Sequence, residues 1–313
     1  MENYDKYPRN IFKPEKRCIR GVNFNYYKAV FRSLTDLYNY LKSEPKINRE
    51  IFTRLASERE SYSFSGREYE EALEMLISPV DDEYADFLTL QKKLDTDTFD
   101  SITEYETYKS ASGGVIDIPS YVTGSPLCYL SERETYEPKF VRMNVLLSYY
   151  CGTSKNQVRN RALIVTSLVN ALEKAGYIVD MNAFSLCEEA NELLEVNVNI
   201  KSSDESLNKA NLIKALCYVE FLRRIIFRVR ETMPVKNEDW GIGYGKTCSR
   251  TIAHDALKLS NDDLFIDQPS NLNIKGYDLL EDFNNTVKNL KLADKIDLKE
   301  SRKNIQKVKK LIL

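Results

Sequence analysis

The chain carries one histidine, His254. That excludes every mechanism built on two histidines, including the zincin motif and the two-histidine facial triad. No G-x-S-x-G elbow stands in the sequence for His254 to serve as a base. The six cysteines (Cys18, Cys128, Cys151, Cys187, Cys217, Cys248) include no C-x-x-C pair, so neither a local zinc knuckle nor a dithiol redox motif is available. They fit reduced, mostly buried thiols. Cys151 has two readings, an activated thiol beside a helix N-terminus or a small buried residue, and the second is preferred. Gly245-Lys246-Thr247 ends as a phosphate loop ends, but Trp240 occupies the position of the first required glycine. The preceding 235–239 make no buried strand, so Gly241 to Thr247 reads as a glycine-rich turn. Asp117, Asp180, Asp262, Asp263 and Asp267 show no acid/base spacing and read as structural or solvated.

The turn Ser148 to Ser154 is the better candidate, because of where it lies. Phe140 to Ser148 is a Val/Leu-rich run suited to a central strand. Ser154 and Gln157 then form a capping box, opening a helix that presents Val158, Ala162, Val165, Val169 and Leu172 and ends at Gly176. Tyr177 to Leu186 is the next strand, completing a βαβ unit with parallel strands. Ligands of open parallel sheets sit beyond such strand ends, where Ser148, Thr153 and Ser154 fall. The competing role for Ser154 is a plain N-cap, and the Gln157 partnership favours it.

The remaining elements frame this unit. Residues 1–32 show no clear period and read as an irregular arm. Leu34, Leu37, Tyr38 and Leu41 predict a helix over 33–42 with Ser33 and Asp36 at its start. Tyr69, Ala72, Leu73 and Leu76 predict a second over 66–77, capped by Ser65 and Glu68 and stopped by Pro79. A third, acidic helix is expected over 81–94, and a structured Gly/Pro loop over 110–137. Leu194 to Ile200 alternates strictly, which predicts a strand near a sheet edge. A long helix is expected from Ser202 to Arg230, stopped by Pro234, with a short strand at Leu264 to Ile266 and helices over 276–292 and 297–312.

With 313 residues, 42% hydrophobic and a net charge of −2, the chain is globular and no polycation. It has no apolar signal core and no run of about 18 apolar residues, so a cytoplasmic protein without a membrane partner is expected.

The βαβ unit with its polar turn resembles the von Willebrand factor A-like class of Rossmann-like folds over roughly residues 138–270. That class binds a divalent metal through Asp-x-Ser-x-Ser, whereas Tyr150-Cys151-Gly152-Thr153-Ser154 lacks the aspartate, so the resemblance implies a lost metal site. Ser63-Phe64-Ser65-Gly66 followed by Tyr69 to Leu73, then 116–126 and Gly243-Tyr244-Gly245, resembles an uncharacterised family of bacteriophages and bacteria and implies a mobile-element origin.

Two basic clusters remain. Arg223, Arg224, Arg228 and Arg230 read as a solvated helix face, although Ile225, Ile226, Phe227 and Val229 bury much of that helix. Lys303, Lys307 and Lys310 belong to the basic C-terminal stretch over 288–310, which is read as packing on the body or a protein partner in preference to nucleic acid. The expected architecture is α/β, a Rossmann-like, mostly parallel sheet: a mainly helical region over 1–109, the loop over 110–137, the α/β domain over 138–270 and basic helices over 271–313. With no catalytic set and no cofactor or metal expected, the expected function is non-catalytic protein interaction by a phage or mobile-element factor. It would inhibit or recruit a host protein or join a virion assembly. The alternative is a nucleic-acid-associated protein or enzyme using the basic helices. Candidate binding residues are Ser148, Thr153, Ser154, Lys303, Lys307 and Lys310.

Overall fold

The computed structural model describes residues 9–58, 62–80, 87, 105–134, 139–174, 176–236, 248–260 and 262–269. The strands are β1 (Glu15–Ile19), β2 (Val22–Phe31), β3 (Tyr105–Ser110), β4 (Val115–Ile116), β5 (Tyr129–Glu134), β6 (Lys139–Leu146), β7 (Tyr177–Glu189), β8 (Glu192–Lys201) and β9 (Leu264–Ile266). The helices are α1 (Leu34–Lys42), α2 (Tyr62–Ser65), α3 (Tyr69–Met75), α4 (Ile118–Val122), α5 (Lys155–Lys174), α6 (Lys209–Leu216), a π-helical turn (Phe221–Ile226) running into α7 (Phe227–Glu231), and α8 (Arg250–Leu257). The helix expected over 81–94, the turn Gly241 to Thr247 and the C-terminal helices lie outside the described residues, Phe87 excepted.

Six strands form one mixed sheet in the order β1-β2-β8-β7-β6-β9. β6 runs parallel to β7 and to β9, and β2 parallel to β8, while β1/β2 and β7/β8 are antiparallel. The α/β class therefore stands, with a sheet more mixed than the sequence predicts. The β6–α5–β7 unit forms as its signals dictate. The Ser154 amide donates to Gln157 Oε1 at 2.8 Å and the Gln157 amide to Ser154 Oγ at 3.3 Å. Gly176, at φ +82°, ends the helix in a conformation that favours glycine.

Two corrections concern the sheet. The irregular arm expected over 1–32 is, from Glu15 on, a hairpin: Arg20 and Gly21, both at positive φ, make a two-residue turn between β1 and β2, and residues 1–8 lie outside the described residues. Period 2 is masked there because Tyr26 and Tyr27 are both buried, on opposite faces of an interior strand. β8 is not near an edge but lies between β2 and β7. Its polar Glu195 is fully buried, receiving the Tyr26 hydroxyl and sitting 3.2 Å from Lys28 Nζ.

Other boundaries also shift. α3 starts at Tyr69 with Glu68 at its cap position, because Ser65 ends α2 and Gly66 turns the chain at φ +70°. A Cβ at Gly66 would stand 2.2 Å from Glu220 Oε1. The stretch from Ser202 to Arg230 is not one helix but α6, the π-helical turn and α7. The stretch 110–137 contains more than loop. β3, β5 and β4 form a separate antiparallel sheet in that order, with α4 beside it.

One core packs α1, α3, α5, α6 and α7 on one face of the large sheet through residues such as Phe31, Met143, Val165, Val196 and Ile226. A smaller core under α8 covers the other face with Phe24, Tyr26, Phe184 and Phe265. Burial of this area supplies the main drive for folding. Among the described residues no helix is long and apolar enough to cross a membrane.

Candidate functional site

From the C-terminal end of β6 the chain passes through α5 to β7 on one side, and β9 returns on the other side. Connections diverge at this point, which in α/β sheets opens a crevice for ligands. Here the crevice is filled. The Leu147 amide donates to the Phe184 carbonyl at 2.6 Å, carrying the pairing past β6 and setting Ser148 beside Ser185. Their hydroxyls share a hydrogen bond of 2.6 Å. Arg230, from α7, donates to Ser148 Oγ at 3.2 Å and also to Ser185 Oγ. All three residues are fully buried. A guanidinium accepts no proton, so it holds the two hydroxyls without activating either as a nucleophile. Cys187 lies against Ser148, and burial pushes its thiol above the ordinary range, which keeps it protonated.

The turn that follows is tied down by Arg223. Its guanidinium donates to the carbonyls of Phe64, Cys151 and Thr153 and lies 4.1 Å from the Phe64 ring centre and 5.0 Å from that of Tyr149. Burial pushes the Tyr149 hydroxyl up to about 12. Arg224 donates to the carbonyls of Arg67 and Ser57, and Arg228 pairs with Glu58 across the face of Tyr69. Glu231 accepts the amide and hydroxyl of Ser57. The arginine cluster is therefore not a solvated face: Arg223, Arg224, Arg228 and Arg230 are all buried. Their donors bind the carbonyls of Ser57, Phe64 and Arg67, the Glu58 carboxylate and the carbonyls of Cys151 and Thr153, so the π-helical turn and α7 tie these positions to the crevice.

The structure brings Ser148, Thr153 and Ser154 together at one turn. Ser148 and Thr153 are buried, and Ser154 makes the cap with Gln157. Lys303, Lys307 and Lys310 lie outside the described residues. Cys151 is exposed rather than buried, as is Cys18. His254 is half-exposed on α8, 3.8 Å from Asp255. Asp180 and Asp263 flank Arg142, each 4.0 Å from its guanidinium, while Asp117 lies apart. Asp180 accepts the Asn199 amide at 2.8 Å, Asp263 accepts the Ser260 amide at 2.9 Å, and Asp117 pairs with Lys109. Among the described residues no three His, Cys, Asp or Glu side chains group to hold a metal ion.

Sequence reasoning passed over Ser185, Arg230 as a partner of Ser148, and the surface of the small sheet. On α4, Ile118, Tyr121 and Val122 stand at i, i+3 and i+4, a spacing that ordinarily marks a buried face. Here that face is outward, with the three residues 69%, 63% and 76% exposed, and Val115 on β4 is 72% exposed. Ser120 is the residue turned inward, at 7% exposure, donating to Asp117 Oδ2 and accepting from Lys109 Nζ. The Lys109 contact, with the Ser120 hydroxyl, holds the Asp117 carboxyl below its ordinary range. The sequence contained the stripe but not its direction, which depends on Lys109 of β3 anchoring Asp117 and Ser120.

No curated protein and no solved structure matches the chain. The family described as DUF7192, a domain of unknown function, matches residues 9–294. Since that span includes every strand and helix above, from β1 to β9, the chain belongs to the DUF7192 family.

Proposed function

We propose that this protein is a non-catalytic protein-interaction factor that meets its partner through the outward apolar stripe of α4 and β4. The observation that carries this reading is the inversion of α4: a helix that buries its serine and presents Ile118, Tyr121 and Val122 to solvent has its apolar face available for another surface. Exposed apolar patches on a folded chain mark interaction sites. The filled crevice at Ser148, Ser185 and Arg230 supports the non-catalytic part, because the usual ligand position holds protein donors and acceptors paired with each other.

The strand order β8-β7-β6-β9, with parallel β6 and β7 joined by α5, supports relating the central sheet to Rossmann-like folds of the von Willebrand factor A-like class. Arg230 beside Ser148 disfavours a divalent cation at that turn, as does the missing aspartate. The motif order at 63–73, 116–126 and 243–245 supports a phage or mobile-element origin, with a cytoplasmic role as inhibitor, adaptor or assembly component.

Affinity capture from a lysate of the encoding cell, at moderate salt, tests the reading. The wild-type chain retains a protein that the Tyr121→Ala variant loses. Retention of DNA or RNA instead, weakening steeply with salt and lost on neutralising Lys303, Lys307 and Lys310, would favour the nucleic-acid alternative.

A further inference from the structure

We infer that the partner seated on this stripe is a second copy of the chain, placed by antiparallel pairing of β4 with β4 across a two-fold axis. The inference rests on the interaction reading above and names its occupant.

Three features point to a second copy. First, β4 is an edge. Within its sheet it pairs only with β5, matching Val115 to Leu130 and Ile116 to Tyr129. Gly114 allows this close approach: at φ +66°, any Cβ there would stand 1.9 Å from the Leu130 carbonyl oxygen. Among the described residues no strand pairs with the other side of β4, so its outward backbone groups are a template for another strand. A strand of this kind satisfies a copy of itself, because antiparallel edge pairing is its own image under a two-fold rotation.

Second, the chemistry beside the edge is self-compatible. Lys109 and Asp117 neutralise each other at 2.8 Å beside the stripe. Ile118, Tyr121, Val122 and Val115 bear no charge, so the stripe meets its own image without repulsion. Nucleic acid or an anionic surface finds no cation among these side chains.

Third, the contact reaches past the edge strand. Val115, Ile118, Tyr121 and Val122 are all mostly exposed, and two copies bring both sets to one seam, where a specific interface must bury roughly 1,000 Å² in total. The result is a continuous six-stranded sheet, β3-β5-β4 from each copy, with α4 of one copy against α4 of the other.

Sedimentation equilibrium of the full chain, from low micromolar to several hundred micromolar, tests the inference. The wild type sediments as a dimer at the upper concentrations. Val122→Asp and Ile118→Asp each weaken association by more than about tenfold, because each buries an unpaired carboxylate in the contact. Both sites are exposed in the monomer, so far-ultraviolet circular dichroism and the melting temperature of dilute protein stay unchanged. Val115→Cys, placed on the paired edge, forms an intermolecular disulfide under mild oxidant in excess over the wild type, whose Cys18 and Cys151 set the background. A wild-type monomer at every concentration overturns the inference, as does a dimer that Val122→Asp leaves intact. If that monomer nevertheless loses a captured protein on Tyr121→Ala, only the second copy is refuted. If capture is also unaffected, the interaction reading falls with it. Co-sedimentation of the wild-type monomer with neutral phosphatidylcholine vesicles, abolished by Val122→Asp, assigns the stripe to a lipid surface and overturns the inference too.

Discussion

Replacing Glu195 with glutamine should make the protein less sensitive to pH in a specific window. Glu195 is fully buried at the β2–β8 seam, where Tyr26 donates to its carboxyl, Lys28 Nζ stands at 3.2 Å and the Asn197 amide at 3.4 Å. Burial pushes its carboxyl from an ordinary value of 4.5 up to about 7, while the Asn197 hydrogen bond and the Arg17 charge pull the other way. Burial likewise lowers Lys28, so both groups shift toward their neutral forms. Between these two values the folded chain holds a proton that the unfolded chain has released, so stability falls as pH rises through the window. The difference of about 2.5 units (7 less 4.5), at 1.36 kcal/mol per unit, is about 3 kcal/mol of stability present below pH 4.5 and lost above pH 7. Urea unfolding followed by circular dichroism across this range, wild type against Glu195→Gln, isolates the contribution of this carboxyl, because the two proteins differ at no other titrating group. The wild type should lose about 3 kcal/mol more than the variant from the acid to the alkaline end. Parallel pH profiles would refute the argument, and a wild type that gains stability over the variant as pH rises would reverse its sign.

Ser185→Ala withdraws an acceptor from the fully buried Arg230 guanidinium and should cost about 1–3 kcal/mol in urea melts; an unchanged midpoint would show that the crevice is not held by this network. Ser154→Ala should cost about 0.5–2 kcal/mol through the lost cap. Calorimetry with magnesium or manganese should register no site at 148–154 in either form, and tight binding lost in the variant would restore a metal centre there. Under native conditions a maleimide should label Cys18 and Cys151 quickly and spare Cys187 and Cys217 until the chain unfolds, as peptide mapping can score.

The elements that were legible in the sequence carry their signals locally. α5 shows its cap, its stripe and its terminal Gly176 within one stretch, and β6 and β7 flank it as apolar runs. The β1–β2 hairpin was not legible, because the alternation of β2 changes face between Tyr26 and Tyr27 and Arg20 does not advertise a left-handed turn. β8 misled for a related reason. Its alternation is real and Asn197 and Asn199 stay half-buried, but Tyr26 of the neighbouring strand covers Glu195, which is fully buried. At the crevice, Ser148 could be placed from the strand end alone. Its partners Ser185 and Arg230 are 37 and 82 residues away, and no spacing rule connects them. The arginines looked solvated because charge is ordinarily exposed; their burial is stabilised by carbonyls such as those of Phe64, Ser57 and Arg67, which only the tertiary fold brings near.

The central claim is that the α4–β4 stripe, and not the strand-end crevice, meets a partner. Lysine-directed cross-linking in lysate, mapped by mass spectrometry, tests it most directly, since Lys109 lies beside the stripe and Lys155 opens α5 at the crevice. The account predicts intermolecular cross-links concentrated at Lys109 and lost in Val122→Asp. Cross-links concentrated at Lys155 and indifferent to that substitution would contradict it.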